Sequence, residues 1–150
     1  MPNTAHYFLK VLQDKEKLLK YFTQNIDGLE RLAGVKEENM VEAHGTFSSS
    51  KCIKCDKHHD IEKLREKIMN DEDPKCDCGR EGLIKPNIVF FGEQLPARFF
   101  EEAEIDCTFC DLLICIGTSL EVYPFAGKIS TLFPRITIIC LKVLLMLPIM

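Results

Sequence analysis

Four cysteines in two close pairs constrain the fold of this chain more than any other feature. The pairs are Cys52 with Cys55 and Cys76 with Cys78. Each pair can supply two thiolate ligands from one tight turn, which is what a tetrahedral zinc site requires. Because four thiolates leave no open coordination position, we predict one structural zinc ion per chain. The neighbouring His58 and His59 are close enough in sequence to compete as ligands.

Composition and charge narrow the class of protein. A chain of 150 residues that is 46% hydrophobic can bury one core and a small satellite module. A net charge of -4 lacks the basic footprint that neutralises phosphates, so we expect no direct nucleic-acid partner, whereas basic peptides suit the charge. The last fifteen residues are apolar but too short for a membrane span, and they contain Lys142, so we expect no membrane partner.

The cysteines also indicate a compartment. The N-terminus has no basic and apolar signal sequence, so the eight cysteines are interpreted as reduced thiols rather than as a disulfide framework. This predicts a cytoplasmic or nuclear protein, and a mitochondrial location stays open.

Helical and strand-like segments alternate along the chain. Residues 7–14 have helical spacing, and a further helix is expected from residue 97. Apolar runs predict strands at residues 18–22, 88–91, 111–116 and 135–140. We therefore predict an α/β fold. Residues 1–46 and 83–150 would form a partial Rossmann-like parallel sheet, into which a small zinc-binding module, residues 47–82, is inserted.

Polar loops follow two of these strands. Thr23-Gln24-Asn25-Ile26-Asp27 ends one strand, and Gly117-Thr118-Ser119 ends another. In open α/β sheets, ligands bind outside the carboxyl ends of the strands, where both loops would lie. His44, which is followed by Gly45, is the candidate for chemistry beside them. The alternative for His44 is a histidine that is merely hydrogen-bonded at a domain junction.

Taken together, these motifs resemble a known family. The run Glu42-Ala43-His44-Gly45, the two polar loops, the cysteine pairs and residues 85–93, which read KPNIVFFGE, resemble the deacetylase branch of the sirtuins, which are NAD-dependent protein-lysine deacylases. The resemblance covers residues 6–135. It implies a zinc-containing enzyme that removes acetyl groups from protein lysines, transfers them to ADP-ribose and releases nicotinamide.

The resemblance also implies roles for individual residues. His44 matches the general base that takes a proton from a ribose hydroxyl of NAD, a step suited to an imidazole. The matching cofactor-binding residues are Gln24 and Asn25 at the nicotinamide ribose, Ile26 and Asp27 at the nicotinamide carboxamide, and Gly117, Thr118 and Ser119 at the dinucleotide. The matching substrate-binding residues are Val89, Phe90, Phe91, Gly92 and Glu93 on one side of the peptide and Glu121, Val122, Tyr123 and Pro124 on the other. Expected partners are acetylated lysine-containing proteins or peptides, such as histones, tubulin-like proteins or metabolic proteins.

The chain also departs from the family pattern. It contains neither a Gly-Ala-Gly-Ile-Ser loop nor a Pro-Asp-Phe-Arg segment, and Ile138-Ile139-Cys140-Leu141 stands where an adenosine contact is expected. We therefore expect a sirtuin core that is truncated at the N-terminus, carries a divergent tail and binds NAD poorly. Two alternatives remain: a catalytically impaired isoform that acts as a zinc-containing interaction protein, and an unstable fragment without function.

Overall fold

The computed structural model describes residues 1–79, 81–118, 121, 123, 127, 138–140 and 142–148. The helices are α1 (Thr4–Asp14), α2 (Leu29–Leu32), α3 (Ile61–Met69) and α4 (Ala97–Phe109), with a 3-10 turn at Glu37–Asn39. The strands are β1 (Lys20–Thr23), β2 (Met40–Glu42), β3 (Gly45–Cys52), β4 (His58–His59), β5 (Ile84–Ile88), β6 (Cys110–Ile116), β7 (Ile138–Cys140) and β8 (Lys142–Pro148).

The larger sheet has five strands in the order β2-β1-β8-β6-β7. Strands β1 and β2 are parallel, with Phe22 opposite Val41, and β6 and β7 are parallel, with Ile114 opposite Ile139. These two pairs confirm the predicted α/β fold with a small parallel sheet. The strand between them, β8, is antiparallel to both β1 and β6.

The apolar runs predict no strand after residue 140, so β8 is an addition to the predicted sheet. In a doubly wound sheet of order 3-2-1-4-5-6, strand 1 lies between strands 2 and 4. Strand β8 occupies that central position but runs in the opposite direction. Its first residue, Lys142, pairs with Ile116, and its last, Pro148, pairs with Cys110, so β8 begins at the edge where β6 ends.

Breaking the ladder of β8 provides a test of this arrangement. Leu145 pairs with Tyr21 of β1 and with Ile114 of β6, so it is in the middle of the sheet. Leu145→Pro removes a backbone donor from a central strand and is expected to lower the melting temperature and to speed amide exchange in β1 and β6. Leu145→Ile, which keeps the N–H group, is the control. Equal melting temperatures for the two variants would contradict the pairing of β8.

Both faces of this sheet are covered. Adjacent residues of β1 and β2 point to opposite faces, so Phe22 and Val41 belong to one buried cluster, whereas Tyr21 and Met40 belong to the other. On the first face, the Phe22 ring meets Phe99 of α4 edge to face, with ring centroids 6.0 Å apart. Burial on both faces is what the continuous apolar strands predicted.

The smaller sheet has the order β4-β3-β5 and packs against α3. Its β3–β5 ladder runs from the pair Gly45 and Ile88 to the pair Cys52 and Ile84. The predicted strand at residues 88–91 was therefore wrong, since β5 ends at Ile88. The following residues turn away, and the Glu93 N–H group closes the turn by donating to the Phe90 carbonyl at 3.0 Å. The division of the chain at residues 46 and 83 remains a prediction.

No helix in the described part of the chain combines the length and apolar character that crossing a membrane requires.

Candidate functional site

The loop that follows β1 is held by its own side chains. The buried Thr23 ends β1, and its hydroxyl oxygen accepts a hydrogen bond from the Asn25 N–H group at 3.0 Å. The Asp27 carboxylate accepts from the Leu29 N–H group at 3.1 Å, where α2 begins. The Thr118 hydroxyl donates to Gln24 Oε1 at 2.9 Å. This contact brings the loop after β6 to the loop after β1, as the topology predicted.

His44 is fixed by contacts to two neighbouring segments. The Ala43 N–H group donates to the Thr23 carbonyl, and the Val89 N–H group donates to the His44 carbonyl, each at 2.9 Å. The ring itself is bound at Nδ1, which lies 3.1 Å from the Gln24 carbonyl oxygen. Since a carbonyl can only accept, Nδ1 carries the hydrogen, and the neutral ring has its lone pair on Nε2. This tautomer is the one that a base acting through Nε2 needs.

Gly45 permits the close approach beside His44. Its φ of +75° lies in the left-handed region, and an added Cβ would lie 1.9 Å from the Asn87 carbonyl oxygen. Any other residue would push β3 and β5 apart next to the histidine.

Gly45→Ala is therefore expected to lower the free energy of unfolding by roughly 2–4 kcal/mol, from the clash and the strained φ together. Gly92→Ala is the matched control. Gly92 has a φ of +88° and nothing within 4 Å of an added Cβ, so only about 1 kcal/mol of backbone strain is expected there. Chemical denaturation measures both values, and equal losses would show that the contact with Asn87 is not what requires glycine.

A cavity of about 420 Å³ opens beside His44. Its lining consists of Gln24, Ile26, His44, Ile88, Val89, Phe90, Phe91, Gly92, Glu93 and Tyr123. It thus joins part of the predicted cofactor loop, the predicted base and the whole first substrate segment. Asn25, Asp27, Gly117 and Glu121 are exposed and do not line it, and neither does the half-buried Thr118. The predicted site residues Ser119, Val122 and Pro124 lie outside the described residues.

An ion pair lies on the side of this cavity that the predicted substrate segment forms. Lys85 Nζ donates to both Glu93 carboxylate oxygens, at 2.7 and 2.6 Å, and lies 4.2 Å from the centre of the Phe90 ring. The Glu93 carboxylate also accepts from the Phe90 N–H group at 2.9 Å. The hydrogen bond from Lys85, and then that from the Phe90 backbone, lower the pKa of Glu93. The turn from Phe90 to Glu93 is therefore closed by a charged acceptor.

The four predicted zinc ligands come together. The four sulfur atoms lie within 4.8 Å of one another, with Cys52 Sγ 3.9 Å from Cys78 Sγ and Cys55 Sγ 3.8 Å from Cys76 Sγ. Zn–S bonds of about 2.3 Å in a tetrahedron place sulfur atoms about 3.8 Å apart. The donor set of four cysteine sulfur atoms therefore fits zinc.

Electrostatics at the cluster also suit a cation. Burial raises the pKa of the Cys52 thiol, but backbone N–H groups facing its sulfur, including that of Lys54 at 3.4 Å, bring its pKa down to about 7. Burial and the neighbouring cysteine sulfurs raise the pKa of Cys76 to about 12. Four thiolates this close require a positive charge between them. His59 is near, with Nε2 3.3 Å from Cys76 Sγ, and remains the competing ligand.

Comparison with known proteins identifies the family. Residues 1–124 match the family model described as the Sir2 family. The chain belongs to the Sir2 family. It is similar to the NAD-dependent deacetylase sir2A of Dictyostelium discoideum, with 53% identity over 86% of this chain and 26% of that protein.

Two further relatives of this Sir2-family chain are sirtuins by name. NAD-dependent protein deacetylase sirtuin-2 of Danio rerio is 49% identical over 89% of this chain and 36% of that protein. NAD-dependent protein deacetylase sirtuin-3 of Mus musculus is 51% identical over 84% of this chain and 37% of that protein. The chain thus spans between a quarter and two fifths of the length of these curated relatives.

Sequence reasoning missed three residues that shape the site of this Sir2-family chain. Thr23 and Glu30 hold the predicted cofactor loop, residues 23–27, and Lys85 holds the turn in the predicted substrate segment. Lys85 lies within the KPNIVFFGE run, whose charged ends are separated by apolar residues, so an ion pair closing a turn could have been inferred. A buried carboxylate at position 30 has no comparable signal, because the sequence Leu-Glu-Arg-Leu reads as an ordinary exposed helix.

Proposed function

We propose that this chain carries the nicotinamide-ribose and acetyl-lysine parts of an NAD-dependent protein-lysine deacetylase site. The observation that carries the proposal is the cavity in which His44, Gln24 and the segment from Val89 to Glu93 meet. A base, an amide donor and an exposed backbone segment around one cavity suit acyl transfer from a lysine side chain to a sugar.

The residues present fit the nicotinamide ribose. Gln24 Oε1 is occupied by the Thr118 hydroxyl, whereas the buried Gln24 Nε2 has no hydrogen-bond partner among the described residues. A buried amide donor without a partner is costly, and a ribose hydroxyl or a carboxamide oxygen would satisfy it. Asn25, Ile26 and Asp27 continue the same loop and are proposed to complete this half of the NAD site, with Gly117, Thr118 and Ser119 contacting the dinucleotide.

NAD supplies an electrophilic ribose carbon, from which nicotinamide departs, and the acetyl acceptor. We propose that His44 Nε2 takes the proton from a ribose hydroxyl, while Nδ1 stays bound to the Gln24 carbonyl. Holding the ring at Nδ1 orients it and leaves the base nitrogen on the other side. The largely apolar lining of the cavity would limit access of water to the reacting centre.

Acetylated lysine-containing proteins are the proposed substrates. The segment from Val89 to Glu93 is not part of the β3–β5 ladder and would pair with an extended peptide, with residues 121–124 on the other side. Phe90 and Phe91 are exposed at this edge. Because backbone pairing is largely independent of sequence, histones, tubulin-like proteins and metabolic proteins all remain candidates. The cytoplasmic, nuclear or mitochondrial compartment also remains a prediction.

Mass spectrometry of an acetyl-lysine peptide incubated with the purified chain and NAD tests the proposal. We expect loss of the acetyl group together with release of nicotinamide, and neither when NAD is omitted. The same assay is run on the chain fused to the glycine-rich segment that the sirtuin pattern places before it. If the peptide keeps its acetyl group with both proteins, the proposed function is wrong.

One observation favours a second function, that of a zinc-containing interaction protein. In a dinucleotide-binding sheet, the central strand leads into the turn that binds the phosphates. In this chain the antiparallel β8 occupies that central position. Because β8 begins at this edge of the sheet rather than ending there, it does not lead into such a turn. Calorimetry separates the two functions, because the second one predicts binding of an acetyl-lysine peptide without measurable binding of NAD.

A further inference from the structure

Glu30 is a buried carboxylate beneath the cofactor loop. It lies in α2, and its side chain is almost fully enclosed, with 1% of the residue exposed. Its Oε1 atom accepts from the Tyr21 hydroxyl at 2.8 Å and from the Thr23 hydroxyl at 3.2 Å. Its Oε2 atom is buried and has no hydrogen-bond partner among the described residues. Burying a charged group in this way is unfavourable unless its contacts achieve something that an apolar residue could not.

The two hydroxyls that reach Glu30 have different consequences. Burial, and then the charge of Glu30, raise the pKa of Tyr21, so the phenol keeps its proton and acts as a donor. The Tyr21 hydroxyl donates to Glu30 and also lies close enough to the Thr23 hydroxyl for that group to act against the rise in its pKa. The Thr23 hydroxyl reaches the backbone of the loop, because its oxygen also accepts from the Asn25 N–H group at 3.0 Å.

The direction of these bonds follows from the hydroxyl group itself. A threonine hydroxyl has one proton to donate and lone pairs with which to accept. Because the Thr23 hydroxyl donates its hydrogen to Glu30 Oε1, a lone pair of the same oxygen is directed towards the Asn25 N–H group. The Asn25 amide is thereby fixed next to Gln24, whose carbonyl holds the His44 ring at 3.1 Å.

We infer that Glu30 is a positioning residue that holds the cofactor loop, residues 23–27, in its binding geometry through the Thr23 hydroxyl. It touches neither the cofactor nor the substrate. The inference rests on the proposed function, since it assigns the loop to the nicotinamide ribose. It places a determinant of cofactor affinity on the buried side of the loop.

The test compares four variants of the full chain. Thr23→Val and Glu30→Gln break or weaken the relay, whereas Thr23→Ser keeps the hydroxyl. Tyr21→Phe removes the other hydrogen bond to the same Glu30 oxygen and is the matched control. Amide hydrogen exchange at Asn25, measured by NMR, reports on the loop without any cofactor. In the same variants, the apparent KM for NAD measures how well the loop binds the cofactor, and the KM for the acetylated peptide shows whether the effect is confined to the cofactor.

We expect Thr23→Val and Glu30→Gln to speed Asn25 exchange and to raise the KM for NAD about tenfold each, as the loss of one hydrogen bond to a charged group would. The KM for the peptide should change little, and Thr23→Ser should behave like the parent. Tyr21→Phe should lower the melting temperature but leave Asn25 exchange within about twofold of the parent. If Asn25 exchanged only through global unfolding, its exchange would also be faster in the destabilised Tyr21→Phe variant.

The outcomes separate this inference from the proposed function. Unchanged Asn25 exchange in Thr23→Val and Glu30→Gln would overturn it, as would a Tyr21→Phe variant that loosens Asn25 equally, because Glu30 would then act only through stability. A parent chain without NAD-dependent turnover would remove the proposed function, while the exchange at Asn25 would still decide whether Glu30 holds the loop.

Discussion

His44→Ala is expected to slow NAD-dependent deacetylation by about a hundred- to ten-thousand-fold, the range that a general base contributes. The structure supports this size of effect because the ring is oriented by Nδ1, so that Nε2 is the nitrogen able to accept a proton. The half-buried His44 side chain contributes little to the hydrophobic core, so the variant should keep its fold. Mass spectrometry of the peptide measures the initial rates. The substitution is made in the chain or in its fusion to the glycine-rich segment, whichever is more active.

Two further variants distinguish a base from a structural histidine. His44→Gln can still donate to the Gln24 carbonyl but cannot act as a base, so it should be as slow as His44→Ala. His58→Ala changes an exposed histidine on β4 that does not line the cavity beside His44, and it should retain the parent rate. Recovery of the rate in His44→Gln, or a loss of rate that merely follows a lowered melting temperature, would make His44 a structural residue.

The parts of the site that sequence could predict are those whose chemistry is local. The two cysteine pairs specify a tetrahedral cluster because each pair lies on one turn, and their four sulfur atoms meet as expected. His44 and Gln24 were found because polar residues at strand ends gather at one edge of an open sheet, and one cavity contains both.

The parts that could not be predicted depend on partners far away in the chain. An apolar run such as residues 143–147 specifies neither the neighbours nor the direction of a strand, and both are settled by pairing with β1 and β6. The predicted strand at residues 88–91 was displaced because the Lys85 and Glu93 ion pair closes a turn over apolar residues. Glu30 was missed because burial of a charge is visible only once the sheet covers it.

Replacing a zinc ligand is expected to have the largest effect on stability. Cys76→Ser should reduce the zinc content from one ion per chain to nearly none, because the hydroxyl of serine does not ionise to replace a thiolate. Structural zinc contributes an apparent binding free energy of roughly 10–16 kcal/mol, comparable to the whole stability of a domain. Elemental analysis measures the zinc. Amide exchange at Ile53, which donates to the Leu83 carbonyl across the module, measures its folding.

Two controls decide which atoms hold the metal. Cys115→Ser removes a buried thiol of β6 that is not part of the cluster, so it should lower stability through packing while zinc stays bound. His59→Ala should also keep zinc if the four thiolates are the ligands, despite the 3.3 Å distance from Nε2 to Cys76 Sγ. Zinc lost from His59→Ala but retained by Cys78→Ser would move the histidine into the ligand set. Since a tetrahedral ion accepts only four donors, the tight second cysteine pair would then contribute one sulfur rather than two.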